Sequence, residues 1–445
     1  MREWRQVHLR DVASNVSRSF DFRGKSAVIF INTGDVLNGQ FLHCDVSEVG
    51  SLPGQAKKAI RQGDILYSEI RPGNGRHALV RDSLNEHVVS TKFMVLKSSS
   101  EVLPEFLYHV LKSQECESAF KLIAESRSGT FPQITFDSVG HYEFQLPSQP
   151  EQSAIAKILG ALDEKIELNG RMNETLEAMA RAIFQSWFVD FDPVRAKASG
   201  ESAESICQCL GLTPELLALF PDSFEVSALG EVPKGWTHST LAAEAKHYGG
   251  FIQTGPFGSQ LHASDYVDEG VPVVMPQDLN NRRISVDRIV RVTEEMAQRL
   301  TRHRVRPGDV VYSRRGDVER HALVSDRESG WLCGTGCLLV RLGAAWPSQA
   351  YLSEVLDLPV TREWLVRHAV GATMPNLNTS ILGDVPLLMP SEQLLHAFEA
   401  VAGPFRTQQV ASSVECDSLA HVREALLPKL LNGEIGLEEF GLAVA

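Results

Sequence analysis

Apolar residues return every seventh position in two separate stretches of this chain. The positions are Ile155, Leu162, Leu176 and Ile183 in the first stretch, and Phe398, Phe405, Leu419 and Leu426 in the second. A repeat of about 3.5 residues per turn, rather than 3.6, is typical of helices that supercoil against a partner. A continuous helix over 151–189 would be roughly 58 Å long, at about 1.5 Å per residue. The pattern therefore predicts two long helices, which we expect to pair antiparallel.

Each heptad series is interrupted at its middle by a polar residue. Asn169 occupies that position in the first stretch, and Ser412 occupies it in the second. Polar residues in a coiled-coil seam cost stability but fix the register of the helices. The pair Asn169-Gly170 also allows the interpretation that the helix ends there, because glycine costs about 1 kcal/mol inside a helix. We expect one continuous helix across this position.

Shorter patterns before each heptad stretch indicate mixed α/β structure. Runs rich in β-branched and aromatic residues, typical of strands, lie at 28–31, 65–67, 88–89 and 93–96. A helix is predicted over 104–124, with Pro104 in its first turn. Its counterpart at 348–369 is expected to break near Pro359, since proline removes a helical hydrogen bond.

The two halves of the chain are copies of one another. Three short motifs recur in the same order: 63–68 (GDILYS) as 308–313 (GDVVYS), 77–80 (HALV) as 321–324 (HALV), and 130–134 (TFPQI) as 373–377 (TMPNL). The offset drifts slowly from 245 to 243 residues and stays at 243 through the heptads. Matches in one order at nearly one offset indicate duplication. The sequence therefore predicts an α+β chain with two mixed α/β domains, two long antiparallel coiled-coil helices and an internal pseudo-two-fold repeat.

Composition and charge narrow the class of protein. The chain is 43% hydrophobic and carries a formal net charge of −13, which argues against a surface coated with basic residues for non-specific nucleic-acid binding. The arginines are concentrated, however, because 282–327 holds twelve of them against seven acidic residues. No run reaches the roughly 18 apolar residues of a membrane helix, and the start lacks the apolar core of a signal peptide. Seven cysteines without a CxxC pair fit free thiols, so we expect a cytoplasmic protein that does not bind membranes.

Catalytic motifs are missing from the sequence. It contains neither a GxxxxGK[ST] phosphate loop nor the Asn/Asp-Pro-Pro-aromatic motif of DNA-methylating enzymes. His77 and His321 each precede Ala-Leu-Val, so they are interpreted as strand-edge residues. Asp64 and Asp309 follow glycine just before a strand, which is typical of turns. The sequence therefore predicts no catalytic site and no metal site.

Two loops carry side chains suited to reading DNA. They follow equivalent strands at 69–76 and 314–320, and they contain arginine, asparagine and glycine. Arginine pairs with guanine in the major groove, and asparagine or glutamine pairs with adenine. Glycine lets the backbone approach phosphate closely.

Several motifs resemble those of one known family. They are QTGPFGSQLHASDY (253–266), the two GD-containing segments at 63–80 and 307–324, the helical segment 151–194, LFPDSFEVSALGEVPKGW (219–236) and LLPKLLNGEI (426–435). Together they span nearly the whole chain, and they resemble the specificity subunits of type I restriction–modification enzymes.

The resemblance implies an organisation of domains and a set of candidate residues. The implied segments are target recognition domain 1 (1–150), central helical region 1 (151–192), a linker (193–230), target recognition domain 2 (231–390), C-terminal helical region 2 (391–436) and a tail (437–445). The candidate DNA-binding residues are Arg71, Asn74, Arg76, Thr130 and Gln133 in the first domain, and Ser259, Gln260, Arg314, Arg315, Arg320, Thr373 and Asn376 in the second. The heptad positions, with Asn169, are implied to dock partner subunits.

The resemblance also implies partners and cofactors. Each domain would read one half of a bipartite, asymmetric target in double-stranded DNA, and the helices would act as a ruler between the halves. Two methyltransferase subunits and the restriction subunits would bind this chain. S-adenosylmethionine, ATP and magnesium would belong to those partners, with no cofactor in this chain. Two alternatives remain open at this point: a protein-binding scaffold built on the coiled coil, and a single-chain methyltransferase or nuclease with an unrecognised site.

Overall fold

The computed structural model describes residues 4–127, 132–227, 230–258, 260–371 and 373–436. The chain forms two compact units. The first combines Met1–Gly170 with Val414–Ala445, and the second is Arg171–Ser413. Each unit therefore contains one mixed α/β domain together with segments of two long helices, Gln149–Phe188 and Glu392–Leu431.

The domain of the first unit is built mainly of short strands. Its strands are Arg5–His8, Ala13–Asn15, Ala27–Ile31, Val36–Leu37, Gln40–Phe41, Val46–Glu48, Ala56–Ala59, Ile65–Ser68, His77–Leu79, His87–Ser90, Phe93–Ser98 and Glu143–Leu146. Its α-helices are Leu9–Val12, Pro104–Leu111, Gln114–Arg127 and Phe136–Val139. The four strand regions predicted from sequence are confirmed.

The domain of the second unit repeats this plan. Its strands are Phe224–Ser227, Gly230–Pro233, Thr237–Thr240, Phe251–Thr254, Tyr266–Val267, Val271–Val274, Leu279–Asn280, Arg283–Ile284, Val290–Val292, Val310–Ser313, His321–Leu323, Leu332–Cys333, Cys337–Arg341 and Pro386–Met389. Its α-helices, beyond the long ones, are Asp192–Ala198, Ala203–Leu210, Pro214–Ala218, Leu241–His247, Glu294–Arg299, Gln349–Asp357, Pro359–His368 and Thr379–Gly383.

The same antiparallel sheet lies at the centre of both domains. In the first unit its strands follow the spatial order Ala13–Asn15, Phe93–Ser98, Ile65–Ser68, His77–Leu79. In the second unit the order is Phe251–Thr254, Cys337–Arg341, Val310–Ser313, His321–Leu323. All four residues of the third strand in each order are buried, as expected of a strand covered on both faces. The predicted duplication is therefore present in the sheet topology.

The prediction of one helix over 104–124 is wrong in one respect, because the structure has two helices in this segment. Pro104–Leu111 ends at Lys112, and a second helix starts at Gln114. The Ser113 hydroxyl accepts the backbone N–H of Cys116 at 3.2 Å, so Ser113 caps the start of the second helix. The predicted break near Pro359 is confirmed, since the helices on either side are Gln349–Asp357 and Pro359–His368.

The segment predicted as a linker, 193–230, is folded rather than extended. Ser202 and Thr213 cap two of its three short helices by accepting backbone N–H groups. Its buried apolar side chains join the core of the second unit, among them Val194, Ile206 and Phe220. This segment therefore belongs to the second unit.

The first long helix runs unbroken through Asn169-Gly170. In the first unit its early part runs antiparallel to the late part of the second helix. Asp163 contacts Arg423 at 3.1 Å, and the Asn169 side-chain amide donates to Glu415 at 2.7 Å. The contacting residues have rising numbers along the first helix and falling numbers along the second. The antiparallel prediction is therefore confirmed within this unit.

The second unit shows the same antiparallel arrangement with the other parts of the two helices. Asn173 donates to Ser413 at 3.4 Å, and Gln409 donates to the Asn173 carbonyl at 3.1 Å.

The heptad positions differ in their burial. Ile155 and Phe398 are fully buried, and so are the polar residues Asn169 and Ser412. The other predicted heptad residues are half-buried: Leu162, Leu176, Ile183, Phe405, Leu419 and Leu426. The middle of the helical pair therefore contains buried polar groups, as the interrupted heptads predict.

Two kinds of feature are absent from the described residues. None of their helices combines the length and apolar character needed to cross a membrane. Among the same residues, no group of three or more His, Cys, Asp or Glu side chains is placed to hold a metal ion.

Candidate nucleic-acid interface

In the first unit, the loop that follows strand Ile65–Ser68 is joined to a distant turn. Arg71 donates its backbone N–H to the Pro132 carbonyl at 3.0 Å, and Ile134 donates to the Glu69 carbonyl at 2.9 Å. Between these two bonds, Ile70 and Gln133 form an isolated antiparallel bridge, which we call the first bridge pair. The loop and the segment 132–134 therefore form one structure, although they lie about sixty positions apart in the sequence.

The second unit repeats this connection bond for bond. Gly316 donates its N–H to the Pro375 carbonyl at 3.0 Å, and Leu377 donates to the Arg314 carbonyl at 2.9 Å. The residues between them, Arg315 and Asn376, form the second bridge pair. Directly opposed residues of an antiparallel bridge project to the same face, so these two side chains lie side by side.

The bridges define which residues of the two loops are equivalent. The hydrogen bonds make Ile70 the equivalent of Arg315 and Arg71 the equivalent of Gly316, which agrees with the offset of 245 residues between the preceding GD motifs. The extra residue of the first loop therefore lies beyond Arg71. Arg71 adopts a positive φ of 48°, and Gly316 adopts one of 78°. The backbone turns in the same way at both positions, and glycine does so without steric cost.

A buried carboxylate lies at the opposite end of each central strand. Asp64 accepts two hydrogen bonds from the Arg18 guanidinium, at 2.5 and 3.1 Å, and the Arg61 backbone N–H at 2.7 Å. Asp309 receives the guanidinium of Arg341 in the same way, with the Nε bond at 2.7 Å, and the Arg306 backbone N–H at 2.7 Å. The turn role predicted for both aspartates is confirmed, and the ion pairs add a function that the sequence did not indicate.

The candidate DNA-binding residues of the first domain differ in the exposure and hydrogen bonding of their side chains. Arg71 and Asn74 are exposed, and Gln133 is half-buried in its bridge. Arg76 donates to the carbonyls of Gly34 at 2.6 Å and Val36 at 2.9 Å, so its guanidinium holds a neighbouring loop. Thr130 lies outside the described residues. Arg71 and Asn74 therefore have side chains open to solvent, whereas the Arg76 guanidinium is engaged within the domain.

Arg315 is the first candidate DNA-binding residue in the loop of the second domain, because its side chain is exposed. Arg314 is half-buried, and its Nε atom has no hydrogen-bond partner among the described residues. Arg320 is exposed and forms an ion pair with Asp317 at 2.6 Å. Thr373 is exposed at the turn, and the half-buried Asn376 also pairs with the backbone of Val370 through bonds of 3.0 and 2.9 Å.

The segment 253–261 reaches the same region of the second domain through the backbone. Gly255 donates to the Cys337 carbonyl at 2.9 Å, and a Cβ atom on Gly255 would lie 2.0 Å from the Gly334 carbonyl oxygen. Only glycine fits this close approach. Arg314 in turn donates to the Gly336 carbonyl at 2.8 Å. Gln260 accepts the Phe257 N–H at 3.2 Å, and Ser259 lies outside the described residues.

The arginine-rich segment 282–327 is in part a set of ion pairs rather than one basic surface. Arg282 is held by Glu354 and Asp357, and Arg304 pairs with Glu294 at 2.6 Å. Other arginines of the segment, 288, 299, 302 and 306, are exposed.

The histidines are structural, as predicted. His77 and His321 are buried and stack on Tyr67 and Tyr312, with ring centroids 5.7 and 4.9 Å apart. Burial lowers the pKa of His321 to about 4, which keeps its ring neutral.

Known proteins resemble this chain over most of its length. A family model of the type I restriction modification DNA specificity domain matches residues 1–178. The specificity subunit of the type I restriction enzyme HindI from Haemophilus influenzae is 39% identical over 473 aligned residues, covering 98% of this chain and 100% of that protein. The MjaIX specificity subunit from Methanocaldococcus jannaschii is 23% identical over 379 residues, covering 85% and 79%. A crystal structure of the type I S subunit from M. genitalium shares the fold with a TM-score of 0.54, at 16% identity and 96% coverage of each chain. The chain therefore belongs to the specificity subunits of type I restriction–modification enzymes, and its function is DNA sequence recognition.

Proposed function

We propose that this chain reads a bipartite, asymmetric DNA target, one half with each unit, and that it has no catalytic activity of its own. The observation that carries the proposal is the repeated bridge. The backbone bonds around it match in the two units, whereas the opposed side chains differ: Ile70 and Gln133 in one, Arg315 and Asn376 in the other. A conserved frame with different side chains suits two readers of two different sequences.

The chemistry of the bridge residues fits base recognition. Arginine presents a fork that matches guanine O6 and N7, and asparagine or glutamine matches adenine N6 and N7. The second bridge pair therefore favours a half-site that contains both G·C and A·T pairs. The first bridge pair combines an amide with an apolar isoleucine, and an apolar side chain suits the methyl group of thymine. Different half-sites make the whole target asymmetric.

The two long helices suit a role as spacer and as docking surface for partners. Each is 40 residues long, which corresponds to about 60 Å at roughly 1.5 Å per residue. We propose that two methyltransferase subunits bind this chain and that restriction subunits join them. S-adenosylmethionine, ATP and magnesium would act on those partners.

The test is a genome-wide map of methylated adenines in cells that contain the partner methyltransferase. Cells with this gene should carry methylation at one split, non-palindromic motif, and cells without it should not. An unchanged map, with the methyltransferase present and active, would contradict the proposal. Methylation or cleavage of DNA by the purified chain alone would contradict its non-catalytic role.

A further inference from the structure

Charged and titratable side chains, several of them buried, meet where each recognition domain packs on the long helices of its own unit. We call these contacts the junctions. The first junction consists of Arg81, His109 and Lys112 on the domain and Asp163, Glu164, Arg423 and Glu424 on the helices. The second junction consists of Arg282, Glu354 and Asp357 on the domain and Glu177, Arg181 and Arg406 on the helices.

At the first junction the domain supplies cations and the helix supplies anions. The Lys112 ammonium forms an ion pair with Asp163, and their side chains are only 12% and 16% exposed. Arg81 of the domain contacts Glu164 of the helix at 3.2 Å. Burial alone would raise the pKa of the Asp163 carboxyl, but Lys112 and the other groups around it, including Arg423, together outweigh burial and lower that pKa, which favours the carboxylate.

At the second junction an acidic residue of the domain contacts a basic residue of the helix. Asp357 of the domain accepts a hydrogen bond from Arg181 of the helix at 3.2 Å. The second long helix contributes Arg406, which donates to the Leu323 carbonyl at 3.3 Å. Glu354, on the domain, is almost fully buried and binds the Arg282 guanidinium at 2.5 Å. Asp357 of the domain therefore contacts a basic residue of the helix, while the domain's own Arg282 pairs with Glu354 and lies 4.0 Å from Glu177 of the helix.

The reversal occurs at equivalent positions of the repeat. The helices Pro104–Leu111 and Gln349–Asp357 start at the same distance after Gly63 and Gly308, and the long helices start and end 243 residues apart. The equivalent residues are Lys112 and Asp357, Glu117 and Arg362, Asp163 and Arg406, and Glu424 and Arg181. All four positions change sign between the copies, and the position of His109 carries the acidic Glu354 in the second copy. The helix cation Arg423, in contrast, corresponds to the uncharged Ala180.

We infer that these opposite charges determine which recognition domain packs on which segments of the helices. A duplicated chain has an obvious alternative fold, since each domain shares its architecture with the other and could pack on the wrong segments. Such an exchange would put Lys112 in the place of Asp357, against Arg181, and Asp357 in the place of Lys112, against Asp163. Buried like charges without a partner are strongly unfavourable, so the charge pattern selects the native pairing. This inference concerns assembly and stands independently of the DNA target.

The native chain allows a direct test at the first junction. Lys112→Asp alone should lower the thermal midpoint of the full chain by roughly 5–10 °C, because it places a carboxylate against buried Asp163. The triple variant Lys112→Asp/Asp163→Arg/Arg423→Ala installs the residues of the second junction and should recover most of that loss. Lys121→Asp is the matched control, because Lys121 is 65% exposed, and it should shift the midpoint by about 1 °C or less.

A chimera tests the selective role itself. Residues 4–148 are replaced by a second copy of 236–391, which puts acidic residues against Asp163 and Glu424. Adding Asp163→Arg, Glu424→Arg and Arg423→Ala should raise the chimera's midpoint by roughly 5–10 °C. The same three substitutions in the natural chain should lower its midpoint. If they act in the same direction in both backgrounds, or if the triple variant is no more stable than Lys112→Asp alone, the inference is wrong.

Discussion

The first bridge pair joins Ile70 to Gln133 and the second joins Arg315 to Asn376, yet the backbone hydrogen bonds on either side of the two pairs match. The difference is confined to the side chains that project from the bridge. The backbone frame is set by the central strand and by the segments 132–134 and 375–377, whose hydrogen bonds match in the two units. The backbone frame therefore does not depend on the bridge side chains, so a bridge residue can change its chemistry without changing the fold.

The buried ion pairs at the opposite ends of the central strands also differ between the two units. Asp64 and Asp309 are equivalent and both receive a bidentate guanidinium, but the arginines come from different strands of the sheet. Arg18 follows the edge strand Ala13–Asn15, whereas Arg341 ends the strand Cys337–Arg341. The carboxylate position is therefore fixed by its turn, while the cation can reach it from either neighbouring segment.

The largest effect is expected from removing one of these carboxylates. Asp309→Ala leaves the Arg341 guanidinium, which is 16% exposed, without its partner and should cost about 3–5 kcal/mol of unfolding free energy. Asp64→Ala should cost a similar amount through Arg18. Asp317→Ala is the control, since Asp317 is half exposed and should cost about 0–1 kcal/mol. Urea unfolding measures all three. A loss for Asp309→Ala no larger than the control's would contradict the structural role.

The next effect concerns DNA binding by the second bridge pair. Arg315→Ala should weaken binding to the target duplex by roughly 10–100-fold, because a bidentate base contact contributes about 1–3 kcal/mol. Binding to unrelated duplex should change far less, so the ratio of the two affinities should fall. Competition titrations at one salt concentration measure this ratio.

Arg306→Ala provides the matched control for that experiment. Arg306 is also exposed, but it precedes strand Val310–Ser313, whereas Arg315 follows it. A substitution there should leave the ratio of specific to non-specific affinity nearly unchanged. An equal fall for both variants would show that the effect reflects charge alone.

A smaller effect is expected in the helices, where the polar residues at the middle of the heptads also differ. Asn169 is buried, and its side-chain oxygen has no hydrogen-bond partner in the part of the chain that the structure describes. Asn169→Leu should therefore raise the unfolding free energy by about 1–2 kcal/mol. Leu168→Asn is the control at an exposed neighbouring position and should have little effect. A loss of stability in Asn169→Leu would show that the amide contributes more than it costs.

The smallest effect is a pH dependence at the first junction. Burial lowers the pKa of His109 to about 3, below the ordinary 6.5 of the unfolded chain. As the pH falls below 6.5 the unfolded chain takes up the proton first, so the stability present above 6.5 is lost toward pH 3. The loss should be about 1 kcal/mol between pH 7 and 5.5. His109→Asn should remove this part of the acid loss in urea unfolding at both pH values; an unchanged loss would contradict the assignment.

Much of the fold was predictable because duplication and periodicity are properties of the sequence. The motifs at 63–68 and 308–313 located the central strands, and the heptads located both long helices. Burial of Asn169 and Ser412 followed from their position in the seam. These features depend on local pattern, which one sequence contains in full.

The remaining features depend on contacts between distant residues. Nothing near Arg76 indicates that its guanidinium binds the carbonyls of Gly34 and Val36. The contacts that place Ile70 beside Gln133 and Arg315 beside Asn376 became visible only through the bonds to Pro132 and Pro375. A capping signal at Ser113 was present in the sequence and would have divided the helix predicted over 104–124.

The central claim is that each unit reads its own half of the target through its bridge pair. The most direct measurement is the methylated-adenine motif in cells expressing Arg315→Ile, which gives the second bridge the apolar residue of the first. The account predicts a motif altered in one half only, with the other half and the spacer unchanged. An unaltered motif, or changes in both halves, would contradict it.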